Sequence, residues 1–527
     1  MDDKIIVTNR TALTAKYGSA GVSRIKKAVD DLIAADAKRG VKSRLVYLDD
    51  AAAMKRFRGR PVNDQTHTRQ NKEAIDAIFR VADPEYLMIL GAPDVVPHQD
   101  IANPTFDTSD DPDRYAFGDL PYACDAPYSR DIATFRGPTR VVGRLPDLTA
   151  ATKPTHILEL LAVATRYKPR DAAAYGAYFG LSTQSWRKST EMSLSNIFGN
   201  DTALTVAPPA GPRHPAGRLA SLAHFINCHG AQAHPEFYGE NARGTATPIS
   251  LHSNSIAKKI SPGTVAAVEC CYGAELYNSV TLSSPLPICQ RYLAQGAYGY
   301  FGSSNIAYGP AKGNGAADLI TQYFLLAVLS GASLGRAALQ ARQLFVEQTS
   351  ELDPIDLKTL GQFNLLGDPS IHPVAVTAAT IVPKGGDAGT SGRLERRQRR
   401  TKLHAMGQML QDTKPTASRK AGKVRKSVMV RKALANIARE AGMGTRTEFT
   451  AFAVKAPKMA RSRGSKAAPA ASRYYVAVSR PAKGSRGIDS GGVAAVAKEV
   501  GGRIVGYRIY MEKSWAPAAM IQDESTA

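Results

Sequence analysis

Cysteine is scarce in this chain of 527 residues. The cysteines are Cys124, Cys228, Cys270, Cys271 and Cys289. Their number is odd, none has metal-ligand spacing, and the adjacent pair could not staple distant segments, so the sequence predicts neither a disulfide scaffold nor a structural metal site. Sparse cysteines of this kind are typical of a reducing compartment, and we therefore expect a cytoplasmic protein.

Long apolar runs are absent as well. No stretch approaches the roughly 18 consecutive apolar residues of a membrane span. Met1–Lys4 leads directly into the strand-like run Ile5–Val7, without the apolar core of a signal peptide. No Walker loop, dinucleotide fingerprint or zinc spacing occurs either. These absences predict a soluble protein with no membrane contact and no metal or cofactor in its chemistry.

Positive charge is abundant, and it is unevenly distributed. The formal net charge is +22, and residues 381–527 hold 30 Lys and Arg against 10 Asp and Glu, which accounts for +20 of it. The preceding residues are nearly neutral. The basic character therefore belongs to the C-terminal part of the chain, where it predicts a solvated segment or a segment that binds nucleic acid or an acidic protein.

Alternating strand and helix patterns predict an α/β fold, with a mostly parallel sheet flanked by helices and a basic C-terminal extension. We expect an N-terminal α/β subdomain at 1–150 and a catalytic α/β subdomain at 151–376. A basic, flexible linker with a helical segment follows at 377–470. Residues 471–527 form a small C-terminal unit.

The C-terminal unit has the pattern of a strand, a helix and a second strand. The strands are predicted at Tyr474–Val478 and Arg503–Tyr510, and the helix at Gly492–Val500. Tyrosines are interleaved with basic residues here, a composition that suits nucleic-acid binding.

Acidic residues cluster in one polar, turn-rich stretch, 101–140. They are Asp107, Asp110, Asp111, Asp113 and Asp119. No EF-hand-type calcium loop with its glycine turn is present. A solvated acidic loop is therefore the favoured interpretation, and calcium binding is the alternative.

Two apolar runs end in reactive side chains. The run Val265–Val268 ends in the Glu-Cys-Cys that contains Cys271, and the run Leu222–Ile226 ends in an Asn-Cys-His-Gly that contains His229 and Gly230. If the strands are parallel neighbours, their carboxyl ends share one edge of the sheet and the thiol meets the imidazole. The backbone N–H groups of Gly230 and Cys271 could then bind an oxyanion, as a cysteine protease requires. A buried structural cysteine is the common alternative.

Several segments resemble the caspase-like clan of cysteine peptidases, in order over roughly 1–375. ECCYGAEL and FINCHG are similar to the Cys and His-Gly strand ends of metacaspase-like and bacterial caspase-like peptidases. The wider set resembles the gingipain-type branch; it comprises YLMILGAPDVVP, GDLPYACDAPYS, TRVVGRLP, GAYGYFGSSNIAYGP and FNLLGDPSIHP. The resemblance implies a bacterial thiol protease of this clan.

The resemblance implies that Cys271 is the nucleophile and His229 the general acid/base. Glu269 stands where the family has Asp, and a Gly-Ala follows where it has Ser-Gly, so Cys270 remains an alternative nucleophile. His224 and His234 are the competing histidines. His224 lies within an apolar run, which favours packing, and His234 lacks the His-Gly context.

The sequence offers one candidate residue for substrate specificity. Gingipain-like enzymes that cleave after basic residues place a carboxylate in the first pocket, and by position Glu191 is the candidate. Its alternative interpretation is a solvent-facing residue at the start of a helix, where carboxylates are favoured. Cleavage after Arg or Lys would make the basic linker, between residues 393 and 426, a site of self-processing.

The sequence thus predicts a cytosolic cysteine endopeptidase that acts on protein or peptide substrates through an acyl-enzyme. One alternative is a catalytically idle scaffold whose basic tail binds nucleic acid or an acidic protein. Another is transfer of the acyl group to an amine, which the absent signal peptide disfavours. A regulatory protein partner is also compatible with this clan.

Overall fold

The structure is a computed structural model. It describes residues 2–310, 313–349, 351–375, 388–413, 416–422, 424–444, 447–455, 472–479 and 492–513.

The helices are α1 (Arg10–Lys38), α2 (Ala51–Arg56), α3 (Thr68–Ala82), α4 (Thr155–Arg166), α5 (Arg187–Phe198), α6 (Ala216–Leu219), α7 (Ile288–Ala294), α8 (Ala317–Leu329), α9 (Leu334–Gln348), α10 (Pro354–Gln362), α11 (Ala388–Thr413) and α12 (Val428–Glu440). Short 3₁₀ helices lie at Leu120–Ala123, Ile132–Phe135, Ala172–Tyr175 and Ser253–Ile256.

The strands are β1 (Lys4–Thr8), β2 (Ser43–Tyr47), β3 (Tyr86–Leu90), β4 (Gln99–Ala102), β5 (Tyr115–Gly118), β6 (Val141–Leu145), β7 (Tyr178–Thr183), β8 (Leu204–Ala207), β9 (Ala223–Asn227), β10 (His229–Gly230), β11 (Glu236–Tyr238), β12 (Ile249–His252), β13 (Val265–Val268), β14 (Gly299–Ser303), β15 (Tyr308–Pro310), β16 (Phe363–Gly367), β17 (Thr416–Lys420), β18 (Thr450–Lys455), β19 (Ser472–Ser479), β20 (Val493–Val500) and β21 (Arg503–Glu512).

A ten-stranded sheet organises the body of the protein. Its strand order is β2-β1-β3-β6-β16-β14-β13-β9-β7-β8, and its neighbours are parallel except for β14 and β16. The predicted fold class, a mostly parallel sheet flanked by helices, is confirmed. The central strands are buried along their whole length, which is why they appear in the sequence as unbroken apolar runs.

Strand β16 joins the two halves of this sheet. It follows the helices of the predicted second subdomain, yet it pairs parallel with β6 of the first and antiparallel with β14 of the second. The two predicted subdomains therefore share one continuous sheet.

A second, antiparallel sheet covers one side of the body. Its order is β15-β21-β20-β19-β18-β17, so that β15 of the body forms one edge. Side chains alternate between its faces: Tyr474 and Val476 join the main core, whereas Tyr475 and Ala477 join a separate cluster under α12. The C-terminal unit is therefore packed on the body through one face of its sheet.

One sequence expectation for the C-terminal region differs from the structure, and one is extended by it. Gly492–Val500, predicted as a helix, contains strand β20. A strand buried on both faces lacks the alternation that identifies most strands, and VAAVAKEV is such a run. The predicted flexible linker contains α11, where the backbone oxygen of Leu403 accepts a hydrogen bond from Gln343 Nε2 at 2.8 Å. Helix α11, the kind of helical segment that was expected within this linker, thus contacts the body.

Ion pairs also attach the C-terminal sheet to the body. Lys498 pairs with Glu351, and Arg508 lies 3.4 Å from Asp356 at the start of α10. Tyr510 donates a hydrogen bond to Asp353 at 2.6 Å. Two of the positive charges of the tail, those of Lys498 and Arg508, are therefore paired with carboxylates of the body.

The acidic stretch 101–140 also serves internal structure. Asp111 is buried and pairs with Lys358 at 2.6 Å. Asp119 accepts two hydrogen bonds from Arg144, at 2.6 and 2.9 Å, and lies 3.0 Å from His98. Burial opposes ionisation of Asp119, but Arg144 and His98 outweigh it and hold the pKa of this carboxyl well below its usual range.

Among the described residues, no helix combines the length and the apolar character needed to cross a membrane.

Replacing Arg144 by Met should destabilise the fold by about 3–5 kcal/mol at neutral pH, because it leaves the buried Asp119 carboxylate without its cation. Since the folded pKa of Asp119 is depressed, the stabilisation that its carboxylate contributes is fully present above the unfolded pKa of about 3.9. It is lost as the pH falls from that value through the folded pKa. Urea unfolding of wild type and variant should therefore differ most at neutral pH.

The exposed pair of Arg130 with Asp100 in the same stretch gives the control, since its arginine is 55% exposed. Arg130→Met should cost about 1 kcal/mol or less. Equal losses for the two variants would contradict the assigned role of Arg144.

Candidate active site

The two strands predicted to carry the site are neighbours. β9 and β13 are parallel, with Ile226 opposite Val268, so the residues that follow them leave the sheet at the same edge. Gly230 lies against the backbone of Cys271: a Cβ at position 230 would lie 1.8 Å from the Cys271 carbonyl oxygen. Only glycine allows this approach, and the structure thus brings His-Gly and Cys together.

A single carbonyl oxygen lies in front of both segments. The N–H groups of Gly230 and Cys271 donate to the backbone oxygen of Lys513, at 3.0 and 3.1 Å. Lys513 follows the end of β21 and comes from the C-terminal sheet. The proposed oxyanion donors therefore converge on a peptide carbonyl of the protein itself.

The Cys271 thiol is completely buried beside the backbone of Ala307. Its Sγ accepts a hydrogen bond from the Ala307 N–H at 3.0 Å and lies 3.3 Å from the Ala307 oxygen. Burial, with a further contribution from Glu512, raises the pKa of this thiol well above its usual value. In this closed arrangement the thiol is held in its neutral form.

The alternative nucleophile, Cys270, has a different environment. It is also buried, which raises the pKa of its thiol, and it makes a hydrogen bond with the backbone of Cys228. The amide directed at the Lys513 carbonyl belongs to Cys271, so the geometry favours Cys271 over Cys270.

His229 lies under Trp186, with the two ring centres 4.4 Å apart. Its Nε2 lies 3.1 Å from Glu240 Oε2, a pairing that fixes the orientation of the ring. Its Nδ1 is buried and has no hydrogen-bond partner in the described part of the chain. One ring nitrogen is therefore held by Glu240, and the other has no partner among the described residues.

The competing histidines have structural partners. His224 is buried between the Tyr292 hydroxyl at 2.8 Å and the Ser221 carbonyl at 2.9 Å, and burial lowers its pKa to about 4. His234 lies 2.7 Å from the Tyr238 hydroxyl.

The side chain of Lys513 enters a buried acidic pocket. Its Nζ donates to Asn227 Oδ1 at 2.8 Å, to Asp318 Oδ1 at 2.9 Å, and to Glu269. The ammonium is only 1% exposed and lies 5.1 Å from the centre of the Trp186 ring. The three N–H donors of the ammonium therefore have three acceptors.

The charges in this pocket do not balance, because one ammonium faces two carboxylates. Burial, together with Asp318, raises the pKa of Glu269 well above its usual range. Burial opposes the charged form of Lys513, but Asp318 and Glu269 outweigh it and raise the pKa of this lysine. The pocket therefore favours a cation.

Gly309 makes room for the lysine stem. A Cβ at this position would lie 2.5 Å from Lys513 Cε and 2.9 Å from its Nζ. Because β15 carries glycine here, the side chain can pass the strand and reach the carboxylates.

The structure does not bring Glu191 into this pocket. Its carboxylate pairs at 2.6 Å with Arg187, one turn earlier on α5, and its side chain is 28% exposed. The side chain thus reaches solvent, as the alternative interpretation expects, but Glu191 lies one turn into α5 and not at its start. The carboxylates opposite the lysine are Glu269 and Asp318.

Sequence reasoning missed several residues of the site. They are Trp186, Asn227, Glu240, Asp318 and Lys513. A signal existed for Asn227, which lies in the Asn-Cys-His-Gly strand end, but none identified Lys513 or Asp318, which are distant in the sequence.

No group of three or more His, Cys, Asp or Glu side chains in the described ranges could hold a metal ion.

Comparison with known proteins leaves the family open. No protein-family model matches the chain, and no curated protein matches it. A solved protease structure is similar over 96% of each chain, with a TM-score of 0.44 and 14% identity. The separase of the Saccharomyces cerevisiae separase–securin complex is similar over 45% of this chain and 14% of that chain, with a TM-score of 0.25 and 12% identity. These scores are too low to assign a family or an activity.

Lys513→Glu should release the C-terminal strand from the site, because it places a third carboxylate against Glu269 and Asp318. All the cysteines are buried in the wild type. In the variant, iodoacetamide should label Cys271 faster by about tenfold or more. Each loss of about 1.4 kcal/mol of contact energy raises the ratio of molecules with a released strand to molecules with a bound strand tenfold. Peptide mapping identifies the labelled residue.

The matched control is Lys420→Glu, which changes an exposed lysine on β17 of the same sheet. It should leave labelling slow. Unchanged labelling of Cys271 in Lys513→Glu would contradict the view that Lys513 closes the site.

Proposed function

We propose that the protein is a cysteine endopeptidase of the caspase-like clan that cleaves polypeptides through an acyl-enzyme at Cys271. The observation that carries this proposal is the pair of N–H groups of Gly230 and Cys271, which donate to one peptide carbonyl. Such a pair is what stabilises the oxyanion of an acyl-transfer reaction. One of the two N–H groups belongs to Cys271, the residue that also supplies the thiol.

In the proposed reaction each group has one step. His229 takes the proton of the Cys271 thiol through Nδ1, and the sulfur attacks the peptide carbonyl carbon. The N–H groups of Gly230 and Cys271 stabilise the oxyanion that forms. His229 then protonates the leaving amine, and water hydrolyses the thioester. Glu240 is a positioning residue, which holds the imidazole through Nε2.

The site suits a polypeptide that lies extended on the amino-terminal side of the scissile bond. The N–H of Lys513 donates to the Ala307 oxygen at 2.9 Å, and β21 pairs antiparallel with β15. This is β-strand addition, in which backbone hydrogen bonds provide affinity and a side-chain pocket provides specificity. Recognition along the backbone supports an endopeptidase, and the closer kinship to gingipain-type enzymes rests on the sequence motifs.

The proposal is tested with fluorogenic peptides in the Lys513→Glu background, in which the site is open. Cys271→Ala and His229→Ala should each lower kcat/KM by roughly 10³-fold or more, because nucleophile and base act as a unit. Cys270→Ala should retain activity within about tenfold, since the buried Cys270 thiol is bonded to the backbone of Cys228 and has no step in the proposed reaction.

Loss of activity in Cys270→Ala with retention in Cys271→Ala would instead assign Cys270 as the nucleophile. If no peptide is cleaved in this background, the idle-scaffold alternative replaces the peptidase.

A further inference from the structure

Lys513 contacts the candidate site through every polar group it has. Its N–H donates to Ala307, its carbonyl accepts from Gly230 and Cys271, and its ammonium reaches the acidic pocket. A residue that merely covered the site would need none of these. A peptidase would make the same contacts with the residue that precedes the cleaved bond.

From this we infer that Asn227, Glu269 and Asp318 form a lysine-binding pocket, and that the Lys513–Ser514 bond is a substrate that the protein cleaves in itself. This inference rests on the proposed peptidase function. The preferred residue before the cleaved bond is then lysine. The position of self-cleavage lies outside the basic linker, where the sequence predicted processing.

The pocket matches lysine better than arginine. An ammonium has three N–H donors, and here each has an acceptor, whereas a guanidinium has five donors in a planar fork. The Lys513 ammonium is 1% exposed, so an arginine here would bury donors without acceptors. The expected preference for lysine over arginine is about tenfold or more, the effect of one unsatisfied charged donor.

Tethering holds Lys513 in place. Tyr308 lies opposite Glu512, Gly309 opposite Met511 and Pro310 opposite Tyr510, which aligns the tail as an added strand. The attachments of the C-terminal sheet to α10 keep this strand at high effective concentration. Fourteen residues, 514–527, follow Lys513, so the bond is internal to the chain.

The linker offers no comparable substrate over the length of α11. Residues 393–413, the first part of the predicted processing region, are helical. A helical backbone bonds its own N–H and C=O groups and cannot pair with β15 as an extended strand. Lys513 is the basic residue that the structure places in the site.

The cleavage balances without a cofactor. Cys271 Sγ gives its proton to His229 and forms a bond to the carbonyl carbon of Lys513. The bond between this carbon and the Ser514 nitrogen breaks, and His229 returns the proton to that nitrogen as the new amine leaves. Water then splits the thioester, which gives Lys513 a free carboxylate and restores the thiol.

The experiment is intact-mass spectrometry of purified full-length protein, followed over time near neutral pH with a reductant. The wild type should lose residues 514–527 as one peptide, whereas Cys271→Ala and Lys513→Glu should keep them. Lys513→Arg should lose them about tenfold more slowly or worse. Lys420→Gln, at an exposed lysine of the same sheet, should behave as wild type.

Hydrolysis of lysyl, arginyl and aspartyl peptides by Lys513→Glu is measured in parallel, with Asp318→Asn added to this background. Lysyl peptides should be cleaved fastest, and Asp318→Asn should lower the preference for lysine over arginine by about tenfold. Gly309→Ala should block lysyl peptides as well, because its Cβ occupies the path of the stem.

An intact wild type beside a Lys513→Glu protein that cleaves peptides would overturn self-cleavage while the peptidase function stands. Cleavage at another bond, or at Lys513 in Cys271→Ala, would also overturn it. A preference for arginyl or aspartyl peptides would overturn the lysine pocket. No cleavage in any variant would remove the inference together with the proposed function.

Discussion

The buried ammonium of Lys513 is the contact on which the arrangement of body and tail depends. A desolvated charge is tolerated only when it is paired and hydrogen-bonded, and here Asn227, Glu269 and Asp318 satisfy it completely. Removing the lysine would leave two carboxylates buried without a cation, at a cost of about 3–5 kcal/mol. The tail therefore stabilises the pocket that it fills.

The backbone around β15 connects this contact to the candidate site. Ala307, just before β15, donates its N–H to Cys271 Sγ and accepts the N–H of Lys513. One residue thus fixes the position of the thiol relative to the strand it would attack. Gly309, two residues later, opens the way to the carboxylates. The sheet edge supplies Cys271 and His229, and this short segment aligns the polypeptide with them.

Local signals predicted the parts of the site that lie on strands. Unbroken apolar runs identified β9 and β13, and the residues that follow them include His229 and Cys271. Glu269 was noted only as a departure from a motif, and its partnership with Lys513 could not be foreseen, because the two are far apart in the sequence and meet only when the C-terminal sheet docks. The same lack of local signal explains β20, whose two buried faces remove the alternation expected of a strand.

Both the proposed peptidase and its self-cleavage require a pocket that selects lysine beside a reactive Cys271. The most direct measurement is mass mapping of the full-length Lys513→Glu protein after treatment with a lysyl peptide chloromethyl ketone, beside the matched aspartyl reagent. The account predicts covalent modification of Cys271 by the lysyl reagent alone. Equal modification by both reagents, or modification of Cys270 instead, would contradict it.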